Sequence, residues 1–385
     1  MSRVVTSAEL AALADRVREG AARREADREL PFKSVDAFRA SGLGGVRVPE
    51  RFGGRGGGVR DVAEVVLALA GADSNVAQAL RSHFSIIERL VGPTPTTDRE
   101  RWLRVIGDGA LFGNGTTEVG TSSPTEFRTR LTRRDGLRLN GTKYYCTGTI
   151  YADRMSVLAL DDGDALVTVI VPTDREGVQV LDDFAAMGQR LTASGTTHFD
   201  DVVVHPDEIL APVPADQLDP AGPYRQLHLA AVSAGISRNA LVDAIEFTRT
   251  KARPGPHSLA ASAVEDPFVQ QAVGQLAAHA LAAESAVRAA ADALDDALAD
   301  GRQEALQDAA TTVAASQIVA GEASLAAGRL LYDTGGASAL STSLNLDRHW
   351  RNARTVASHN PLAYKAKVIG DRALNGTDVP DNGYF

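Results

Sequence analysis

Chemistry in this 385-residue chain could come from a handful of short polar stretches. The run FGNGTTEVGTSS, residues 112–123, combines glycines that let a backbone approach a ligand with Asn114, Thr116, Thr117, Ser122 and Ser123, groups suited to carbonyl or phosphate oxygens. The same composition suits a polar loop leading into a sheet. No Gly-Lys-Ser/Thr follows and the glycines do not form GxGxxG, so neither a Walker loop nor a dinucleotide fingerprint is present. The run LNGTKYYCTGTIYAD, 139–153, offers Tyr145, Cys146 and Thr147, which on a strand would put a ring and a hydroxyl toward one cavity, although Tyr and Thr in strands more often pack a sheet.

Histidines supply proton-handling chemistry near neutrality. His83, in QALRSHFSIIERL, falls on a helical pattern among apolar residues, where a lone histidine is more often structural. His359 stands beside Asn360 in TVASHNPLAYK, between a basic segment (His349, Arg351, Arg354) and a helix-like tail that carries Tyr364 and Lys365. In TRTKARPGP, Arg249, Lys251 and Arg253 could meet one phosphate, or form a solvated helix end.

The elements that must position these residues alternate in character. Thr6-Ser-Ala-Glu9 has capping-box spacing, and Leu10, Leu13 and Val17 recur helically, which predicts a helix from Thr6 to about Asp27. Helices are expected at 34–41, 58–71, 74–92 and 97–107, so 1–110 reads as an N-terminal helical domain. Residues 111–214 read as a central β domain, with strands at 127–131, 137–139, 144–146, 155–160, 166–171 and 178–181. Hairpin turns are expected at Asp135-Gly136, Asn140-Gly141 and Asp162-Gly163. Residues 215–385 return to helix at 222–251, 264–299, 302–333 and 361–374, long enough for an antiparallel bundle with alanine-lined contacts.

Composition narrows the function classes. The chain is 44% hydrophobic and 23% charged, which is globular. A formal net charge of −9 argues against nucleic acid or an anionic membrane as partner. Cys146 is the sole cysteine, which excludes an intrachain disulfide framework and a thiolate metal cluster, and points to a reducing compartment. The N-terminal stretch lacks a signal-peptide core and no segment approaches a membrane span, so the cytoplasm is the expected location and no metal is expected.

The ordered fragments TTEVGTSS, LNGTKYYCTG, HFDDVVVHPDEIL, YDTGG and RNAR resemble the acyl-CoA dehydrogenase superfamily over almost the whole chain. Together with SHF at 82–84, FGN, TRTKARP, DPFVQ, HWRNARTVASHNPLAYK and IGDRALNG, they resemble its two-component flavin monooxygenase branch, of which dibenzothiophene and sulfone monooxygenases are the best-known kinds. The resemblance covers about residues 30–378. It implies an α+β fold with an N-terminal helical domain, a central β-barrel or sandwich and a C-terminal four-helix bundle, assembled as a homotetramer.

The implied cofactor is reduced FMN from a separate NAD(P)H:flavin reductase, because TRTKARPGP stands where the dehydrogenases carry an Arg followed by Gln-Phe-Gly for the distal part of FAD; FAD is the alternative. The implied reaction forms a C4a-hydroperoxyflavin with O2 and oxygenates sulfur, nitrogen or electron-rich carbon of a small organic substrate. Resemblance places Thr117 and Thr147 near the flavin ring, with Val119 replacing the family's usual proline and Tyr145 its tryptophan. It assigns His83 and His359 to the peroxide and substrate face, and Thr147 or Cys146 to the flavin N5/C4a region. It adds Asn114, Thr116 and Ser123 as flavin contacts, Arg253 as phosphate partner from its own or a neighbouring subunit, and Tyr364 and Lys365 at the FMN edge. Asn360 occupies the dehydrogenases' usual glutamate position, and the alternative glutamate position falls at about Arg225. Rival readings are an acyl-CoA dehydrogenase-like FAD oxidoreductase, an amine N-hydroxylase of the sugar-modifying kind, and an inactive flavin-binding scaffold.

Overall fold

The computed structural model describes residues 4–92, 97–120, 126–212, 219–380 and 385. The chain begins with helices α1 (Ser7–Arg18), α2 (Ala21–Asp27), α3 (Phe32–Ala40), α4 (Val59–Ala70), α5 (Ser74–Ala79), α6 (Arg81–Val91) and α7 (Thr97–Gly107). The expected capping box is present: the Thr6 hydroxyl accepts from Glu9 N–H at 3.2 Å and Thr6 N–H donates to the Glu9 carboxylate at 3.0 Å. The helix expected to reach Asp27 is instead two, because Gly20 adopts φ 69° and ends the first run. The helix expected over 74–92 is likewise broken at Leu80, whose ψ of 0° turns the chain between α5 and α6. α4 is buried almost all round and forms the centre of the packing between the N-terminal helices and α8.

A sheet follows, from β1 (Phe112–Gly115), β2 (Arg130–Arg133), β3 (Leu137–Lys143), β4 (Arg154–Leu160), β5 (Leu166–Pro172), β6 (Val178–Val180), β7 (Thr197–Val204) and β8 (Ile209–Leu210). Its order is β6-β7-β3-β2-β4-β5-β8, with β1 paired in parallel to β4. Alternation along β4 sends Met155, Val157 and Ala159 into one core with Leu139, Val169, Val171 and Phe199. Asp135-Gly136 and Asp162-Gly163 lie between paired strands as expected. Asn140-Gly141 does not: the register shifts between Leu139 and Gly141 inside β3, so this pair is a bulge, and Gly141 at φ 150° fits against Thr129, where a Cβ would lie 2.5 Å from its hydroxyl. The expected strand at 144–146 is reduced to a single bridge of Tyr144 to Thr117, because Tyr145 has φ 54° and turns the chain out of extended conformation. The strand expected from Phe127 starts at Arg130.

The remaining helices are α8 (Ala221–Thr250), α9 (Pro267–Asp300), α10 (Gln303–Leu330), α11 (Arg348–Ala357) and α12 (Leu362–Asn375). Alanines such as Ala240, Ala244, Ala280 and Ala327 let α8, α9 and α10 approach closely, and Leu276, Val287 and Leu294 are fully buried between them. Each of these larger side chains contributes about 1.5–3 kcal/mol of burial. The basic segment at 348–354 is helical and much of it turns inward: His349 Nε2 meets Asp243 at 2.8 Å, and Arg351 binds Glu25 at 2.6 and 3.0 Å, tying α11 to α8 and α2.

Candidate active site

The polar stretches converge where the start of α6 lies between the sheet and the bundle. On the sheet side, β3 ends at Lys143, the chain turns through Tyr145, and Gly148 at φ 77° packs so tightly on α5 that a Cβ would sit 2.0 Å from the Ala79 carbonyl oxygen. That turn leaves the Tyr145 side chain exposed, Cys146 buried and Thr147 partly buried. The Ser82 hydroxyl reaches both the Asn114 side-chain oxygen at 2.5 Å and the Thr147 carbonyl at 3.2 Å. Asn114, at the end of β1, thus keeps its amide NH2 as a donor.

Behind Thr147 lies the segment 188–195. The Thr147 hydroxyl is 2.8 Å from the Ser194 hydroxyl, which is 2.7 Å from that of Thr192. The segment is pinned from three directions: Gln189 N–H donates to Asn352 of α11 at 2.6 Å, Leu191 N–H to Asn75 of α5 at 3.1 Å, and the Tyr151 hydroxyl to the Leu191 carbonyl at 2.7 Å. Gln189 and Ala193 both hold positive φ, 53° and 49°, a conformation that these contacts must enforce.

The bundle side begins at Arg81, next to Ser82, whose Nε lies 3.5 Å from the Arg225 carbonyl at the start of α8. The neighbouring Gln226 accepts from the Asn360 amide at 2.6 Å. His359 is exposed by accessible surface, although protein groups lie close around its ring. Desolvation there, followed by the charge of Arg81, pulls its pKa down to about 3, so the ring is neutral at physiological pH. Lys365 is 2% exposed, stands over the Phe385 ring at 4.2 Å, and has its pKa drawn down by burial to about 8.

Several expected site residues are placed elsewhere. His83 is a correction: it faces away from Ser82, fully buried, with Nε2 2.9 Å from the Gly44 carbonyl and Nδ1 accepting from Phe112 N–H at 3.3 Å. Burial pulls its pKa down to about 4, and both ring nitrogens are committed to backbone. Cys146 is a second correction, because its thiol sits in the sheet core and burial pushes its pKa up to about 11, which removes it from nucleophilic or acid chemistry. Thr116 and Thr117 are exposed, and Thr117 contributes its carbonyl to Tyr144 N–H at 2.9 Å. Ser123 lies outside the described residues. Arg253 is exposed beyond the far end of α8; Gln226 to Thr250 alone spans about 36 Å at 1.5 Å per residue, so it does not reach this recess within the chain. Tyr364 is exposed, whereas the adjacent Lys365 is buried. Among residues that sequence reasoning missed are Ser82, Arg81, Thr192, Ser194 and Gln226. Ser82 was one position from the histidine, and about 100° of helical rotation decides which of the two faces the recess.

The sheet side offers uncharged hydrogen-bonding groups and a free aromatic ring, and the bundle side contributes Arg81 and a neutral imidazole; this set fits a planar, polar, electron-rich heteroaromatic such as a reduced flavin. Acyl-CoA dehydrogenase family models match the chain throughout: the N-terminal domain at residues 7–110, the middle domain at 114–202 and the C-terminal domain at 227–364. A dibenzothiophene monooxygenase of Mycolicibacterium goodii is 31% identical, over 88% of this chain and 86% of the relative. The "Probable FMNH2-dependent monooxygenase SfnC" of Pseudomonas putida is 30% identical over 90% of this chain and 88% of the relative. The crystal structure of FMN-bound TdsC from Paenibacillus sp. A11-2 superposes with a TM-score of 0.89 at 30% identity, covering 98% of this chain and 99% of that one. The chain belongs to the acyl-CoA dehydrogenase superfamily, in its branch of FMN-dependent monooxygenases.

Proposed function

We propose that the protein is the oxygenase of a two-component system: it takes reduced FMN made by a separate flavin reductase and oxygenates a small organic substrate at a soft sulfur atom, in the recess between Thr147 and His359. The observation that carries this reading is the bundle wall. A dehydrogenase needs a carboxylate to remove the substrate α-proton. At that position Asn360 is instead locked to Gln226 at 2.6 Å, beside a histidine held neutral. An amide cannot act as that base, and a neutral imidazole can donate a hydrogen bond to a reactive oxygen without carrying charge.

Reduced FMN, when bound, supplies the electrons that activate O2. The chain's own work is positional. Thr147 and the Asn114 amide orient the ring from the sheet side, and the Tyr145 side chain closes an edge. His359 donates a hydrogen bond at the reacting oxygen, and Arg81 beside Ser82 gives the recess a positive potential suited to an anionic reduced ring. Lys365 serves at the edge of the ring in this reading. Arg253 would serve the recess of a second copy, and the exposed Phe268, Leu281 and Leu374 on the bundle support self-association. Among the described residues no helix is long and apolar enough to cross a membrane. The test is His359→Ala assayed with supplied FMNH2: reduced flavin should still bind, while substrate oxygenation gives way to hydrogen peroxide release. Unchanged coupling would remove His359 from the reaction.

A further inference from the structure

The hydroxyl row behind Thr147 has a direction. The Thr192 hydroxyl lies 2.9 Å from the Gln189 carbonyl, a group that can only accept, so Thr192 spends its one hydrogen there. Its 2.7 Å contact with Ser194 must then use the Ser194 hydrogen, and the 2.8 Å contact of Ser194 with Thr147 must use the hydrogen of Thr147. The other nearby acceptor of that hydrogen, the Tyr145 carbonyl at 3.5 Å, is also protein. In either arrangement Thr147 Oγ1 shows the recess a lone pair rather than a hydrogen. Thr192 and Ser194 are buried, and the Gln189 carbonyl that sets the direction is held by the contacts of Gln189 with Asn352 and with Ser74 at 3.0 Å.

We propose that the row Thr192–Ser194–Thr147 is a selector of flavin redox state: it fixes Thr147 as a hydrogen-bond acceptor, so the recess holds reduced flavin, which bears a hydrogen on N5, more tightly than oxidised flavin, which presents a lone pair there. This rests on the reading above that the flavin ring lies against Thr147. Two lone pairs facing each other without a hydrogen cost the contact and leave both acceptors unsatisfied, whereas N5–H completes the row. The selector would load the protein with the reduced form and expel the oxidised one after turnover. Asn352 and Asn75 are positioning residues for it.

Anaerobic titration of the intact protein with FMN and with dithionite-reduced FMN gives a dissociation constant for each form. The wild-type protein should favour the reduced form. Ser194→Ala removes the nearer acceptor of the Thr147 hydrogen and leaves only the long contact to the Tyr145 carbonyl at 3.5 Å, and Thr192→Val removes the anchor that orients the row. Each should narrow the reduced-to-oxidised preference by about tenfold, chiefly by tighter binding of oxidised FMN. That is a shift of about 30 mV in the midpoint potential of bound flavin for a two-electron couple. Thr147→Ser, which keeps the hydroxyl, should retain the wild-type ratio. An unchanged ratio in folded Ser194→Ala and Thr192→Val, with Thr147→Val still weakening reduced-flavin binding, would overturn the selector and leave the flavin placement standing. Unchanged affinities in Thr147→Val would overturn the placement and the selector together.

Discussion

The two walls of the recess handle polarity in opposite ways. The sheet wall is a row of neutral hydroxyls and amides whose hydrogen bonds end on backbone groups, held by a strained segment pinned to α5 and α11. The bundle wall carries ionisable groups, Arg81, His359 and Lys365, in surroundings that push the last two toward their uncharged forms. One wall fixes geometry and the other tunes charge. Binding and reactivity are therefore separable at the proposed site, and each wall can be attacked alone.

The largest effect is expected at the root of the sheet wall. The buried Lys143 pairs with the Glu118 carboxylate at 2.6 Å, and that carboxylate also accepts from Arg128 and Thr129 N–H, fastening the loop after β1 to β3. Lys143→Met leaves that carboxylate buried without its cation and should cost about 3–5 kcal/mol, read by denaturant unfolding. A loss below about 1 kcal/mol would mean that the loop is not held this way.

On the bundle wall, His359→Ala should lower the fraction of FMNH2 electrons delivered to substrate about 100-fold with Tm nearly unchanged, the scale of a lost proton-handling group. If coupling falls equally in Ser82→Ala, the separation of the walls fails. The pH dependence offers a further contrast. His83 and His228 are fully buried with pKa values pulled down to about 4 and about 3, against about 6.5 unfolded. Below pH 6.5 the unfolded chain binds protons that the folded one refuses, so stability is full above that value and falls with acidification, by about 2 kcal/mol per ring at pH 5. Coupling through His359, neutral down to about pH 3, should show no inflection between pH 5.5 and 8. A bell centred near 6.5 would show that His359 titrates normally. The smallest effect belongs to Tyr364→Phe: that side chain is exposed, and stability should move by less than about 0.5 kcal/mol.

The helix–sheet–helix order was legible in the sequence because the periods of apolar residues switch from helical to alternating and back, and the fold family through the resemblance of its ordered motifs. What was lost were the places where one residue departs from its neighbours' conformation. Gly20 and Leu80 split apparent single helices, Gly141 made a bulge out of an apparent hairpin, and a positive φ at Tyr145 made a turn out of an apparent strand. The proposed site was partly legible: Asn114 and Thr147 both border Ser82 at the start of α6, and Asn360, next to His359, bonds Gln226 at the start of α8. Ser82, Thr192 and Ser194 lie in stretches the sequence does mark, SHF at 82–84 and the loop 183–197, but nothing singles out the individual residues, since small hydroxyls acquire a role only through the partners that tertiary structure gives them. His83 and Cys146 misled because reactive residue types were read without their burial.

Oxygen chemistry and dehydrogenation at the proposed site are separated by one experiment. The most direct measurement mixes the protein with FMNH2 and 18O2 in the presence of dibenzothiophene, indole or methanesulfinate as probes, with a parallel anaerobic mixture of FAD-loaded protein and acyl-CoA. Oxygen chemistry puts 18O into an oxygenated product and leaves the flavin unreduced by acyl-CoA. Reduction by acyl-CoA, with FMNH2 oxidised by O2 at the same rate as in plain buffer, would contradict it.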